Sequence, residues 1–203
     1  EGRHVRSLLR QPAEGGPTEE IFDGSHPGQG RPASYAPRVW AVYDDGAVLF
    51  SLGEELLYVA KPGECQRWTV KVEGETWLPV YGDAEGIMLW PLDANRARDA
   101  YYVPGERDKF DLEGRIKVTG AQGIRWAEPL VKRYGDVLVW LDWPSWDQQP
   151  CTGYRLAAYN LKTRSGWSSE IVVPAGNARL EHVDDKTVQV SGKRFDAGTG
   201  KPL

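Results

Sequence analysis

The sequence predicts an all-β fold, arranged as a small or incomplete β-propeller-like repeat of about four antiparallel units. The 203 residues include 9 Trp and 9 Tyr, and aromatic residues of this kind favour strands. They also include 23 Gly and 14 Pro, residue types that end regular elements at turns. Between those turns, short apolar runs and alternating apolar–polar runs recur, as is typical of strands. A β-sandwich built from similar hairpins is the alternative arrangement.

The first 37 residues differ from the rest because glycine and proline interrupt them throughout. We expect no regular element to persist at that density, although a short helix or strand could begin over residues 4–10. We therefore predict a Gly/Pro-rich strap or linker over residues 1–37 and an all-β repeat domain over residues 38–203. The sequence begins at Glu1 without Met, and we expect an upstream tag or leader to have been removed.

The repeat domain opens with a hairpin. Residues 39–43 and 47–51 flank an Asp-Asp-Gly turn at 44–46, where the glycine accepts the positive φ of a tight turn. A further strand is predicted over residues 56–60. Residues 66–72 alternate between apolar and polar side chains, which predicts one more strand with one face in solvent.

The same strand–turn–strand pattern recurs along the chain. The acidic turns contain Asp45, Asp83, Asp136 and Asp185. A tryptophan precedes each of the last three turns, at Trp68, Trp126 and Trp167. Successive turns are about 40–50 residues apart, which leaves room for about four short strands in each unit. This period predicts the propeller-like repeat.

The last third of the chain contains a more specific pattern. A strand enters a turn of the form Asp-x-x-Thr-Gly-Lys at Asp196, Thr199, Gly200 and Lys201. An altered copy begins at Asn160, in place of the aspartate, with Arg164 and Ser165 interrupting the Thr-Gly step. These segments resemble the blade endings of quinoprotein-type (PQQ-like) β-propeller repeats. The resemblance implies a repeat scaffold and does not imply a quinone cofactor.

Charge and hydropathy exclude two classes of partner. The chain has 25 Lys and Arg against 29 Asp and Glu, a formal charge of −4, and no basic run. We therefore expect no binding to nucleic acid, which requires a basic surface. No stretch of roughly 18 apolar residues occurs, so we expect no membrane span.

The sequence indicates no catalytic, cofactor or metal site. His4, His26 and His182 lack a nearby group that would make one of them a general base. The acidic pairs at 44–45 and 184–185 are expected to cap turns through their own backbone. Two cysteines are too few for a four-cysteine zinc site. We expect a protein that is not an enzyme and uses no cofactor.

The strongest candidate site is the aromatic segment that follows a predicted strand. Trp140 is expected to pack in the core, whereas Trp143 and Trp146 fall in a polar segment flanked by Asp142 and Asp147. Tryptophan is enriched at binding hot spots, so we predict a partner-binding surface at these four residues. In the alternative interpretation, both rings fold back and cover a sheet edge.

We hypothesise a non-catalytic binding protein that holds another protein through its loops, such as a bacterial inhibitor or immunity-type protein that neutralises a toxin. The alternative is a glycan-binding or glycan-processing domain in which Trp143 and Trp146 stack on sugar rings. A third hypothesis is an assembly scaffold that another chain completes. We expect an exported or periplasmic protein, or otherwise a cytoplasmic one. Cys65 and Cys151 are a candidate disulfide in an oxidising compartment.

Overall fold

The protein is all-β. The structure is a computed structural model that describes residues 7–11, 15–23, 38–52, 55–61, 64–69, 71–72, 75–91, 99–107, 109–120, 131–142, 153–174 and 178–203. These residues form several antiparallel sheets and no helix, and none of the sheets closes into a barrel. The described residues accordingly contain no helix of the length and hydropathy that would cross a membrane.

The described strands fall into five sheets, numbered here in chain order. Sheet 1 contains β1 (Ser7–Arg10) and β2 (Glu19–Asp23). Sheet 2 contains β3 (Arg38–Val42), β4 (Val48–Leu52), β5 (Glu55–Lys61) and β6 (Glu64–Thr69). Sheet 3 contains β7 (Lys71–Val72), β8 (Glu75–Gly82), β9 (Gly86–Pro91), β10 (Ala100–Glu106), β11 (Lys109–Phe110) and β12 (Ile116–Val118). Sheet 4 contains β13 (Val131–Tyr134), β14 (Val137–Asp142), β15 (Tyr154–Asn160) and β16 (Ser165–Val173). Sheet 5 contains β17 (Leu180–Asp184), β18 (Thr187–Val190) and β19 (Lys193–Asp196).

Within each sheet, strands consecutive in sequence pair antiparallel, except that β12 pairs with β10. The predicted first hairpin is confirmed, with Gly46 at φ 82° in the turn between β3 and β4. In sheet 3, both β11 and β12 pair with β10, so that together they fill the fourth strand position. Sheets 2, 3 and 4 therefore share a four-row meander, with the short β7 added at one edge of sheet 3.

The sheets pack face to face in chain order, and each apolar cluster joins two neighbours. Strands β4, β9 and β14, each the second row of its meander, are buried on both faces, which explains why their sequences are mainly apolar. In β14, Leu138 and Trp140 pack against sheet 3, whereas Val139 and Leu141 pack against sheet 5. The prediction that Trp140 packs in the core is confirmed, because its side chain is fully buried.

Sheet 5 has only one apolar face. Val188 and Val190 of β18 are buried against sheet 4, and Gln189 between them lies on the opposite face. There the Gln189 side-chain amide donates a hydrogen bond of 2.6 Å to Glu181. Because a polar face needs no covering sheet, sheet 5 can end the row of described sheets.

Two expectations about individual strands are wrong. A hairpin, sheet 1, forms within residues 1–37, because Ile21 and Phe22 of β2 bury their side chains against Val48 and Phe50. Burial against sheet 2 thus outweighs the local density of turn residues. The single strand expected over residues 66–72 is two strands, since β6 pairs in sheet 2 and β7 in sheet 3.

The two turns singled out near the C-terminal end have the same geometry. The side-chain oxygen of Asn160 accepts hydrogen bonds from the backbone of Lys162 and Thr163, at 2.9 and 2.8 Å. The Asp196 carboxylate likewise accepts from the Thr199 backbone at 2.7 Å. Arg164 has φ 55° and Gly200 has φ 71°, so the two residues occupy the same place in their turns. Arg164 therefore takes the place of the glycine in this turn. The expectation that it interrupts the turn is wrong.

We predict that Gly200→Ala destabilises the protein by roughly 2–4 kcal/mol, because a methyl group adds backbone strain and a steric clash. A Cβ at Gly200 would lie 2.5 Å from Cζ3 of Trp167. Gly198→Ala is the matched control in the same turn, where the nearest atom, an Asp196 carboxylate oxygen, is 3.4 Å away. Urea unfolding measures the stability of both variants. Equal unfolding midpoints for Gly200→Ala and Gly198→Ala would contradict the close packing of Gly200 on Trp167.

Candidate functional site

The meander topology separates two ends of the sheets. The turns after the first and third strands lie at one end, which we call the turn end. The connections after the second strands lie at the opposite end, which we call the loop end. The aromatic segment at 143–152 joins β14 to β15, so its anchors lie at the loop end.

An ion pair holds the base of that connection. Asp142 is the last residue of β14 and pairs in register with Arg155 of β15. One carboxylate oxygen of Asp142 accepts a hydrogen bond of 2.9 Å from Nε of Arg155, and Nη2 of Arg155 lies 2.8 Å from the same oxygen. Asp142 is fully buried and the Arg155 side chain is 28% exposed. Burial strengthens this pair and makes loss of either partner costly.

The other predicted contact residues at this end, Trp143, Trp146 and Asp147, lie outside the described residues. Asp142 is described, and its carboxylate is bound by Arg155 within the chain. Binding of another protein by these four residues stays a prediction.

The candidate disulfide also stays a prediction. Cys65 lies in β6 with its side chain partly buried, and its thiol is 3.6 Å from the Gln66 carbonyl oxygen. The other cysteine, Cys151, lies outside the described residues.

At the turn end, an arginine joins sheet 4 to sheet 3. Arg133 of β13 forms ion pairs with Asp83 at 3.1 Å and with Glu85. It also donates a hydrogen bond of 2.9 Å to the Tyr102 hydroxyl, and its guanidinium lies over the Tyr102 ring. Burial raises the pKa of Tyr102, and the neighbouring Asp83 carboxylate raises it further. Tyr102 is therefore a neutral hydroxyl that accepts from Arg133 at neutral pH.

A second arginine joins sheet 3 to sheet 2 in the same way. Arg107, in the hairpin between β10 and β11, forms an ion pair with Asp45 and lies over the Tyr43 ring at 5.0 Å. Its backbone N–H donates to the Tyr43 hydroxyl at 2.9 Å, and its side chain lies 3.4 Å from the Tyr58 hydroxyl. The hydrogen bond from Arg107 lowers the pKa of Asp45. Arg107 thus bridges sheet 3 and sheet 2.

The third interface at this end, between sheets 4 and 5, uses stacked rings. His182 of β17 stacks on Tyr134 of β13, with ring centroids 5.0 Å apart. Burial raises the pKa of Tyr134 to about 12, and the Asp184 carboxylate contributes. The buried Tyr134 hydroxyl has no hydrogen-bond partner among the described residues. His182 therefore contacts sheet 4 through its ring, although the residue remains exposed.

The acidic turns are capped by aspartates that bind their own backbone. Asp45, Asp83 and Asp184 each accept a hydrogen bond from a backbone N–H two residues further on, at 3.1, 2.8 and 2.9 Å. Sequence analysis missed the arginines that bridge to two of these turns. A recurring Tyr-x-Asp spacing, at Tyr43 and Tyr81 before their aspartates, is the signal that could have located them.

The described residues contain no group of three or more His, Cys, Asp or Glu side chains that could hold a metal ion. Comparisons with protein-family models, with curated proteins and with solved structures find no match to this chain. The loop end and the turn end are thus the two candidate functional regions, and the turn end is occupied by contacts between sheets.

We predict that Asp142→Asn destabilises the protein by about 3 kcal/mol, because it leaves the guanidinium of Arg155 without its buried counter-charge. Asp136→Asn, at an exposed turn preceding the same strand, is the control and should change stability by less than about 0.5 kcal/mol. Chemical unfolding provides the measurement. Equal stabilities for the two variants would show that the pair does not hold the base of the loop.

We predict opposite effects for two buried tyrosines. Tyr102→Phe should cost about 1–2 kcal/mol, since Arg133 loses an acceptor, whereas Tyr134→Phe should be neutral or stabilising at pH 7. The pKa of Tyr134 rises from 10.0 to about 12 on folding, so the stability tied to its neutral form is lost as pH rises through that window. Urea unfolding from pH 7 to 12 should show wild type losing more stability than Tyr134→Phe above pH 10.

Proposed function

We propose that this chain is a non-catalytic binding protein that holds another protein through the loop end of a propeller-like scaffold. The contacts between sheets support the propeller-like arrangement. Strand β3 contacts β8, β8 contacts β13, and β13 contacts β17. Since each of these strands begins or nearly begins its meander, the sheets converge on one side, as blades do around an axis.

The observation that carries the proposal is the buried Asp142–Arg155 pair. It fixes the last residue of β14 to the second residue of β15. A connection held rigidly at its base loses less conformational entropy on binding than one whose ends move. The segment that it carries contains Trp143 and Trp146. Such aromatic residues provide large contact areas at protein interfaces.

The contacts at the turn end also favour the loop end as the binding surface. Arg133 is only 15% exposed and is saturated by Asp83, Glu85 and Tyr102, so it is not available to bind a partner. The loop end is therefore the better surface for recognition. Among binding proteins, an exported inhibitor or immunity-type protein is the class that we propose, and the identity of the partner decides it.

The test is capture of the partner followed by a quantitative affinity measurement. Wild type and the Trp143→Ala, Trp146→Ala double variant are used as baits in extracts and secreted fractions of the source organism. The captured protein is then purified and titrated against each bait. We expect wild type to bind one protein stoichiometrically and the double variant to lose at least about 100-fold in affinity, as hot-spot residues do.

The matched control is Val39→Ala with Val42→Ala, which removes two apolar side chains that are 46% and 66% exposed on β3. This control should bind like wild type. Unchanged affinity in the tryptophan variant would contradict the proposal. A large loss of thermal stability in that variant would place the rings in the core instead. Binding to a glycan array in place of a protein would favour the carbohydrate hypothesis.

A further inference from the structure

Arg155, the second residue of β15, binds Asp142 through one edge of its guanidinium. Nε donates a hydrogen bond of 2.9 Å to the Asp142 carboxylate, and Nη2 lies 2.8 Å from the same oxygen. The third nitrogen, Nη1, has no hydrogen-bond or ion-pair partner in the part of the chain that the structure describes. A guanidinium carries parallel N–H groups along its Nε–Nη2 edge and again along its Nη1–Nη2 edge. The second of these edges is therefore left for another acceptor.

Arg133, at the turn end, provides the contrast. All three of its guanidinium nitrogens are bound by acceptors of the chain, which are the Gly135 carbonyl, the Tyr102 hydroxyl and the carboxylates of Asp83 and Glu85. The Arg133 side chain is 15% exposed, whereas that of Arg155 is 28% exposed. Of these two partly buried arginines, only Arg155 thus combines an ion pair inside the chain with a second edge that the described residues do not fill.

The neighbouring sheet does not supply the second acceptor. The ion pair of Arg155 lies on the face of sheet 4 that packs on sheet 3, since side chains alternate between the two faces along β14. Sheet 3 has an aspartate at its loop end, Asp99, directly before β10. Its carboxylate lies 3.0 Å from Nζ of Lys117 and accepts a hydrogen bond of 3.3 Å from the Gly120 backbone. Asp99 is therefore engaged within its own sheet, and no described carboxylate other than that of Asp142 pairs with Arg155.

Asp142 also holds Arg155 in place before any other group binds. Asp142 is fully buried, and the two residues face each other across β14 and β15. In β15, buried Tyr154 and Leu156 flank Arg155 on either side. An arginine that is already fixed in this way loses less side-chain freedom on binding than a free one. Arginine is enriched at binding hot spots, and its paired N–H groups match the two oxygens of a carboxylate.

We propose that the Nη1–Nη2 edge of Arg155 binds a carboxylate of the partner protein, so that one guanidinium lies between Asp142 and an acidic residue of that partner. This inference rests on the proposed function, because it names a contact and a partner chemistry at the same loop end. The partner then presents an Asp or Glu side chain in addition to the surface that Trp143 and Trp146 contact. The arginine selects for that carboxylate by charge and by its planar pair of N–H groups.

A carboxylate probe tests this edge of Arg155 without the partner. Sodium acetate is titrated against the 203-residue chain, and the Nε–Hε resonances of the arginines are followed by NMR. Sodium chloride at matched ionic strength is the control for screening of charge. We expect a saturable shift at Arg155 with acetate, and no such shift at Arg133. A response of Arg155 that chloride reproduces, or an equal response of Arg133, would overturn the proposal.

Arg155→Lys tests the contact with the captured protein. Lysine keeps the positive charge that buried Asp142 requires, but it lacks the planar second edge. Titrated against the protein that wild type captures, Arg155→Lys should bind at least about tenfold more weakly. Arg164→Lys makes the same change at an exposed arginine of the turn end and should bind like wild type. An Asp→Asn or Glu→Gln variant of the captured protein that loses the same factor, and loses no more against Arg155→Lys, identifies the carboxylate.

The outcomes separate this inference from the proposed function. If the Trp143→Ala, Trp146→Ala variant loses binding and Arg155→Lys binds like wild type, the inference is overturned and the proposed function stands. If the tryptophan variant binds like wild type and Arg155→Lys does not, the proposed tryptophan contact fails and the carboxylate contact stands. Capture of no protein contradicts both. Urea unfolding checks that Arg155→Lys is folded, and the acetate titration of wild type decides the inference if it is not.

Discussion

The architecture depends on burial of both faces of sheets 2, 3 and 4. A four-stranded meander that is apolar on both faces cannot be stable in water, so each sheet needs a neighbour on either side. Chain order supplies those neighbours, because each sheet packs on the sheet before it and the sheet after it. Sheet 5 differs, because Gln189 and Glu181 are hydrogen-bonded to each other on its outer face. The row of sheets is thus held together by contacts between neighbouring sheets.

Polar contacts then make the two ends of the row different. At the turn end, Arg107 and Arg133 each reach from one sheet to an aspartate and a tyrosine of the preceding sheet. These side chains are engaged in the ion pairs and hydrogen bonds that align the sheets. At the loop end, the Asp142–Arg155 pair lies within one sheet and fixes the start and finish of a single connection. One end therefore maintains the scaffold, and the other presents a segment on a fixed base.

Most of the fold could be predicted from local sequence patterns. Asp-Gly and Asp-x-x-Thr turns, apolar second strands and the all-β class follow from short stretches of sequence, and the structure agrees with them. Contacts between distant residues did not follow in that way. Sheet 1 forms because Phe22 packs edge-on against Phe50, with ring centroids 5.1 Å apart, and no local signal announces that contact. Arg133 has an ordinary strand sequence around it, and only the approach of sheets 3 and 4 brings it to Asp83. For the site, the sequence located Asp142, but its burial under Arg155 needed the register of β14 and β15.

The division between a binding end and a structural end is the central claim. Hydrogen–deuterium exchange of the chain, alone and with its purified partner, tests it most directly. The account predicts that the partner slows exchange at the end of β14 and the start of β15, around Asp142 and Arg155, and leaves the turns at Asp45, Asp83 and Asp184 unchanged. Protection confined to those three turns would contradict it, because the partner would then bind the end that this account assigns to contacts between sheets.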